Sequence, residues 1–442
     1  MNTPICDFVR SYADREPLRL HMPGHKGSGA LGVEALDITE VHGADSLYEA
    51  SGIIAQSEAN ASQLFGCPTF YSTEGSSQCI RAMLHLVTMG ARRDGKRPLI
   101  AAARNVHKTF LSAVALLDLD VLWLTGANQN SYLSCVLDAQ ELDTTLSSAT
   151  EKPAAVYLTC PDYLGAMTDL AAVAQVCHTH GVLLVVDNAH GAYLKFLPHS
   201  LHPVDLGADL CCDSAHKTLN VLTGGAYLHV AAPTLAAHAK NALGLFGSTS
   251  PSYLILQSLD AANPRLAGGY RAELAQFISL TEQCKQLLAS HGFIVEKSEP
   301  LKITLRTRPY GYEGQQLCAL LREKEVVCEF GDPDFAVMML TPDVGAEGLA
   351  RLTRELLNIP RRSPLPEQAP PFHVCERVLS VRQAMLADSE TVSVAESEGR
   401  ILAAASVGCP PAVPVVVCGE RIDADAVACF FYYGIKSCSV VR

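Results

Sequence analysis

No Cys-x-x-Cys pair occurs in the 442 residues, although the chain has 16 cysteines. Scattered in this way, they lack zinc-ribbon or thioredoxin-like spacing and read as buried, reduced, small apolar residues. Positive charge is also short: 34 Lys and Arg stand against 46 Asp and Glu, a formal net charge of −12. A nucleic-acid partner needs a basic patch, so that class is disfavoured. There is no low-complexity tract and no internal repeat. Residues 1–7 lack the basic-then-apolar order of a secretory leader. The most tempting apolar stretch, residues 401–418, is interrupted by Pro410, Pro411 and Pro414, which argues against a membrane helix. The expectation is a cytoplasmic protein with no nucleic acid or membrane as partner.

What is present is the composition of a globular protein, 48% apolar and 18% charged. From about residue 60 to 230, short apolar runs alternate with longer helical ones. The runs at 69–71, 99–103, 121–124, 155–159, 183–186, 210–212 and 225–230 predict strands. Residues 76–89, 108–117, 139–148 and 169–180 predict helices. Strands that are continuously apolar predict a mostly parallel central sheet covered on both faces, with helices as crossovers. Ligands of such a sheet sit outside the carboxyl ends of its strands. Two helices, 252–261 and 271–291, lead into a smaller α+β segment with strands at 303–305 and 336–340 and a helix at 314–324. The division expected is an N-terminal arm (1–20), a major domain (21–245), a small α+β domain (246–360), a Pro-rich linker (361–371) and a C-terminal domain (372–442).

The polar clusters fall at the predicted strand ends. Gly75-Ser76-Ser77 opens a helix, where free N–H groups and hydroxyls suit a phosphate as well as they suit an ordinary cap. His107 follows the next strand and could stack on a flat ring. Asp187 ends the run at 183–186, followed by Asn188, Ala189 and His190. Thirty positions later comes Lys217, in Ser214-Ala215-His216-Lys217. An acid at one strand end and a lysine at the next suit pyridoxal 5′-phosphate: the lysine forms a Schiff base and the acid keeps the pyridine nitrogen protonated. Ser214 offers the phosphate a second hydroxyl, and His216 can shuttle a proton. Cys177-His178-Thr179-His180 lacks a second ligand group and reads as a helix end, so no metal site is expected. Gly27, Gly29 and Gly32 spell a dinucleotide fingerprint, but no strand precedes them.

With these residues in place, the chain resembles the Orn/Lys/Arg decarboxylase family. The resemblance rests on His21-Met22-Pro23-Gly24-His25-Lys26-Gly27, Asp37-Ile38-Thr39-Glu40, Arg104-Asn105-Val106-His107-Lys108, Ser214-Ala215-His216-Lys217-Thr218-Leu219, Leu222-Thr223-Gly224-Gly225, Glu398-Gly399-Arg400-Ile401 and Pro410-Pro411. It implies fold type I, the aspartate-aminotransferase-like architecture, in a short form without an N-terminal wing domain. It also implies that Lys217 carries the cofactor, Asp187 pairs with its ring nitrogen and His107 stacks on it. Ser76, Ser77, Ser214 and His216 would surround the phosphate, with Ala189 and His190 along the ring. A homodimer with a shared active site follows from the same resemblance. The chain departs from the family pattern at Asn188, Asp162, Gly224, Ala412 and Cys418.

The activity implied is decarboxylation of lysine, arginine or ornithine to CO₂ and a diamine or agmatine, within polyamine biosynthesis. Asp45, Glu40, Glu398 and Glu420 are candidate partners for the distal cation of the substrate. An aminotransferase or β-eliminating lyase on the same fold, with Arg306 or Arg308 clamping a carboxylate, is the alternative. A non-catalytic cofactor-binding relative is the third.

Overall fold

The computed structural model describes residues 1–126, 131–405, 408–409 and 413–442. Seven apolar runs form strands: β1 (Thr69–Ser72), β2 (Leu99–Ala103), β3 (Asp120–Leu124), β4 (Ala155–Thr159), β5 (Leu183–Asp187), β6 (Leu210–Asp213) and β7 (Ala226–Val230). Between and before them lie helices α1 (Pro4–Asp14), α2 (Ile53–Phe65), α3 (Gly75–Arg93), α4 (Lys108–Leu117), α5 (Ala139–Ser148), α6 (Leu170–Thr179) and the single turn α7 (Ala215–Thr218). Local chemistry sets the ends. Asp138 caps α5 by accepting the Gln140 and Glu141 N–H groups, and Asp169 caps α6 through Ala172. Asp118 closes α4 in the left-handed conformation, with φ 51°.

The chain divides into two compact units. The first comprises Met1–Arg93 and Leu183–Leu274, the second Asp94–Val182 and Ala275–Arg442. In the first, the strand order is β1-β7-β6-β5. β5 and β6 are parallel, but β7 runs antiparallel to both β6 and β1. The expectation of a mostly parallel sheet holds, and β7 is its exception. The segment joining β6 to β7 holds one helical turn instead of a crossover helix, so the chain simply doubles back. In the second unit β2 lies between β3 and β4, all parallel.

The second unit also holds an antiparallel sheet in the order β10-β11-β9-β8, with β8 at Ile294–Val295, β9 at Lys302–Arg306, β10 at Phe330–Gly331 and β11 at Phe335–Met339. The linker expected at 361–371 has no regular structure. Beyond it, the strand at Ser389–Ser393 pairs with the one at Ser437–Val441. This last segment shares an apolar cluster with the rest of its unit: Val415, Val416, Phe430 and Val440 pack with Tyr132, Leu133 and Phe335. A buried ion pair crosses the same boundary, Arg104 to Glu420 at 3.0 Å. Pro410, Pro411 and Ala412 lie outside the described residues. Among those described, no helix is long and apolar enough to cross a membrane.

Candidate active site

Asp187 ends β5 opposite Cys212 of β6 and is buried. Its Oδ1 accepts the Ala189 N–H at 3.1 Å and the Cys212 thiol at 3.7 Å, so the carboxylate is aimed before any ligand arrives. β6 stops at Asp213, and Ser214 is the N-cap of α7. Lys217 is expected at a strand end. It stands instead on the helical turn with its side chain exposed, because the chain has already left the sheet. Its Nζ lies 3.1 Å from Nε2 of His190, which is buried in the turn after Asp187.

Ser76 and Ser77 sit in the first turn of α3, both half-buried. The Ser214 hydroxyl donates to Ser76 Oγ at 2.8 Å, tying α3's start to the lysine turn. Gly75 has φ 72°, and its N–H donates to the Gly224 carbonyl at 2.7 Å. Gly224 itself has φ 100°, and a Cβ there would lie 2.8 Å from the Thr73 carbonyl oxygen. No L side chain fits, which is the physical content of that departure from the family.

The His216 ring lies 2.9 Å from the Gly225 carbonyl through Nδ1. A carbonyl only accepts, so Nδ1 carries the hydrogen. Burial, reinforced by the neighbouring Lys217 ammonium, holds the ring below its ordinary pKa although the carbonyl pulls the other way. At neutral pH His216 therefore rests uncharged with a lone pair at Nε2. The first unit thus gathers Asp187, Ala189, His190, Ser76, Ser77, Ser214, His216 and Lys217. His107 belongs to the second unit, where it caps α4: its Nδ1 accepts the Thr109 N–H at 3.2 Å.

The expected partners of a distal cation fare differently. Asp45 caps α2, accepting N–H groups of Ser46, Ser51, Gly52, Ile54 and Ala55. Glu420 is buried against Arg104 and accepts the Val417 N–H at 2.7 Å. Both carboxylates hold scaffold, and only Glu40 and Glu398 are exposed. The arginines that an aminotransferase would need are also engaged. Arg306 bonds Glu296 at 2.7 Å, and Arg308 donates to the Pro366 and Pro333 carbonyls. Asp162 is buried in the turn after β4, and burial pushes its carboxyl up to about 6 against the pull of Ser134, the Ala166 N–H and Lys302. Cys177 is buried in α6, while His180 pairs with Asp143 at 2.7 Å. What sequence reasoning missed is a buried network of His202, Asp213 and His229, joined to Asn188. No spacing in the sequence marks it.

A mostly parallel sheet that carries a lysine turn, a buried aspartate and a hydroxyl-lined helix start beyond its strands is the fold of type I pyridoxal-phosphate enzymes. Residues 3–342 match the major domain of Orn/Lys/Arg decarboxylases and residues 370–436 match their C-terminal domain. The chain belongs to the Orn/Lys/Arg decarboxylase family and is a pyridoxal-phosphate-dependent carboxy-lyase. It is 27% identical to an arginine decarboxylase of Bacillus subtilis (strain 168), over 97% of this chain and 93% of that one. An arginine decarboxylase of Halalkalibacterium halodurans is 28% identical, over 96% and 92%. In fold it is similar to lysine decarboxylase A from Pseudomonas aeruginosa, with TM-score 0.82 and 18% identity over 99% of this chain and 80% of that one. The Francisella novicida lysine decarboxylase LdcF gives TM-score 0.79 at 16% identity, over 100% and 81%.

Proposed function

We propose that this enzyme removes the α-carboxylate of a basic amino acid (lysine, arginine or ornithine), giving CO₂ and a diamine or agmatine. The observation that carries the reading is the meeting of Lys217, Asp187 and the Ser76–Ser214 pair in one unit of a chain from this family. The residues fit pyridoxal phosphate: an exposed amine, a buried carboxylate already oriented, and paired hydroxyls at the start of a long helix. Bound there, the cofactor supplies an aldehyde that captures amines and a ring that accepts the electron pair left by departing CO₂.

The protein's own groups would do the rest. Lys217 would hold the cofactor, and Asp187 would keep its ring nitrogen protonated through a charge-assisted hydrogen bond. Ser76, Ser77 and Ser214, with the N-terminal N–H groups of α3, would bind the phosphate. His107 would stack on the ring, and Ala189 and His190 would line it. The proton returned to Cα comes from Lys217 or His216. Because His216 rests without a proton to give, Lys217, hydrogen-bonded to His190, is the better donor.

A homodimer in the cytoplasm, supplying polyamine biosynthesis, completes the reading. Support for a second copy comes from Leu18, Leu20, Met22 and Leu31, which lie 84%, 84%, 68% and 82% exposed around the His21–Gly27 motif. Large apolar side chains left in solvent within one stretch of chain suit a surface that another chain covers. The test is a panel of amino acids offered to purified, cofactor-loaded protein, scored for CO₂ and amine. Turnover of a basic amino acid without a keto acid is expected. A keto acid product would favour the aminotransferase, and binding without turnover the non-catalytic relative.

A further inference from the structure

Around Asp213, at the end of β6, runs a chain of fully buried polar groups with no role in the scheme above. His202 Nε2 and His229 Nε2 each lie 3.1 Å from the same oxygen, Oδ2 of Asp213. The other oxygen, Oδ1, accepts from Asn188 Nδ2 at 2.6 Å. His229 continues outward, its Nδ1 2.9 Å from the Thr69 hydroxyl across the β1–β7 pairing. Burial alone would raise Asp213, but the two facing imidazoles outweigh it and hold the carboxyl well below its ordinary range. His229 is held above its ordinary value by the same contact, against burial.

Asn188 is held through its backbone and its Nδ2, while its Oδ1 is buried with no hydrogen-bond partner among the described residues. Its N–H donates to the Cys212 carbonyl at 3.0 Å, and its own carbonyl accepts the Gly191 N–H at 2.8 Å. Its Oδ1 leaves no room at position 191, where a Cβ would come within 2.0 Å of it. The turn so fastened begins at Asp187 and carries His190, whose Nε2 meets the lysine amine.

We propose that Asp213 is a positioning residue: through Asn188 it sets the turn that presents Asp187 and His190 to the cofactor and Lys217. The inference rests on the pyridoxal-phosphate reading above. It assigns to an anionic hydrogen-bond acceptor, two residues before the lysine turn, the task of orienting the groups on the neighbouring strand end.

The same atoms invite comparison with a metal site, since Cys211 Sγ joins His202, Asp213 and His229 within 4.8 Å. The contacts, however, have N–H···O lengths. Cys211 is held well above its ordinary pKa by burial and then by Asp213, so it stays a neutral thiol and not a metal-binding thiolate.

The test exchanges the two partners. Native protein, Asp213→Asn, Asn188→Asp and the double variant N188D/D213N are titrated with pyridoxal phosphate, following the visible absorbance of bound cofactor. Apo melting temperatures and metal content are measured in parallel. Each single variant is expected to bind cofactor roughly tenfold more weakly, and the double variant to return within about threefold of native, because the new amide at 213 can donate to the carboxylate at 188 while its oxygen still faces the two imidazoles. Single variants that bind like the native protein, or a double variant no better than the weaker single, overturn the proposal. So does a stoichiometric metal in the native protein that is lost in Asp213→Asn. If neither single variant folds, a double variant that folds and binds cofactor supports the coupling, and one that does not overturns it. A native protein without absorbance dependent on Lys217 would instead sink the cofactor reading itself.

Discussion

Lys217 Nζ and His190 Nε2 face each other at 3.1 Å, joining the turn after β5 to the turn after β6. As an ammonium Lys217 can only donate, which makes His190 Nε2 the acceptor of the contact. The pair gives the reactive amine a neighbour able to take its proton. Replacing Lys217 with Ala is expected to abolish both CO₂ release and the visible absorbance of bound cofactor. Replacing His190 with Ala should leave the absorbance in place and lower kcat about a hundredfold. Steady-state kinetics and absorbance spectra check both. An active Lys217→Ala enzyme would refute the assignment.

The left-handed Gly224 touches the same region through its bond to Gly75. Gly224→Gln places a side chain where φ is 100° and where the Thr73 carbonyl already stands 2.8 Å from the new Cβ. Backbone strain and the clash together are expected to cost about 2–4 kcal/mol, read as a lower urea midpoint with an unchanged slope. Cofactor affinity should fall as well, since the carbonyl of Gly224 holds the start of α3.

Asp162 gives a pH-dependent expectation with a definite sign. Its folded pKa, about 6, exceeds the ordinary 3.8, so the native state holds the proton longer than the unfolded chain does. Stability from this group is present below pH 4 and is lost as pH rises towards 6. A carboxamide in place of this carboxyl never ionises, and its oxygen can still accept the Ala166 N–H. Asp162→Asn should therefore be more stable than the native protein by about 2 kcal/mol at pH 7.5 and show no advantage at about pH 4. Urea unfolding at the two pH values decides it. An equal effect at both would remove the charge from the explanation.

The exposed Leu18, Leu20, Met22 and Leu31 give the proposed homodimer its test. Changing Leu18 and Leu20 together to Ser is expected to weaken self-association at least about tenfold, seen as a monomer by sedimentation at micromolar concentration. The monomer's melting temperature should fall little, because both side chains are already exposed within one chain. A native protein that sediments as a monomer would end the proposal.

The strands were legible because β4, β6 and β7 are apolar at nearly every position, and α4 and α5 were legible to the residue because His107 and Asp138 cap them locally. α1 was not. Its first N–H groups, Ile5 and Cys6, are capped by Asp260, a residue from the far end of the unit's sequence, at 3.0 and 2.9 Å. The helix predicted to end at 261 runs on to Ala267, since Leu259, Ala262 and Leu266 continue its buried stripe beyond the expected stop. The site was readable where chemistry clusters in sequence, at Asp187–His190 and Ser214–Lys217. His202 and His229 escaped because only the folded chain brings them to Asp213. For His229 the strand register does it, placing it opposite Cys211, on the same strand β6 as Asp213.

Glu420 shows the same lesson for a charged residue. As an acid in a segment resembling the family it looked free to meet a substrate cation, yet it lies buried against Arg104 at 3.0 Å. The Arg104 guanidinium also donates to the Pro414 and Val415 carbonyls, each at 3.3 Å, and sits over the Trp123 ring. Removing one member of such a pair leaves an uncompensated charge in the core. Glu420→Gln is therefore expected to destabilise by about 3–5 kcal/mol. Adding Arg104→Met should recover part of that loss, because the stranded charge goes with it. If substrate binding were the role of Glu420, the Gln variant would instead raise KM with stability unchanged. Urea unfolding of both variants, set beside KM for the preferred amino acid, separates the two.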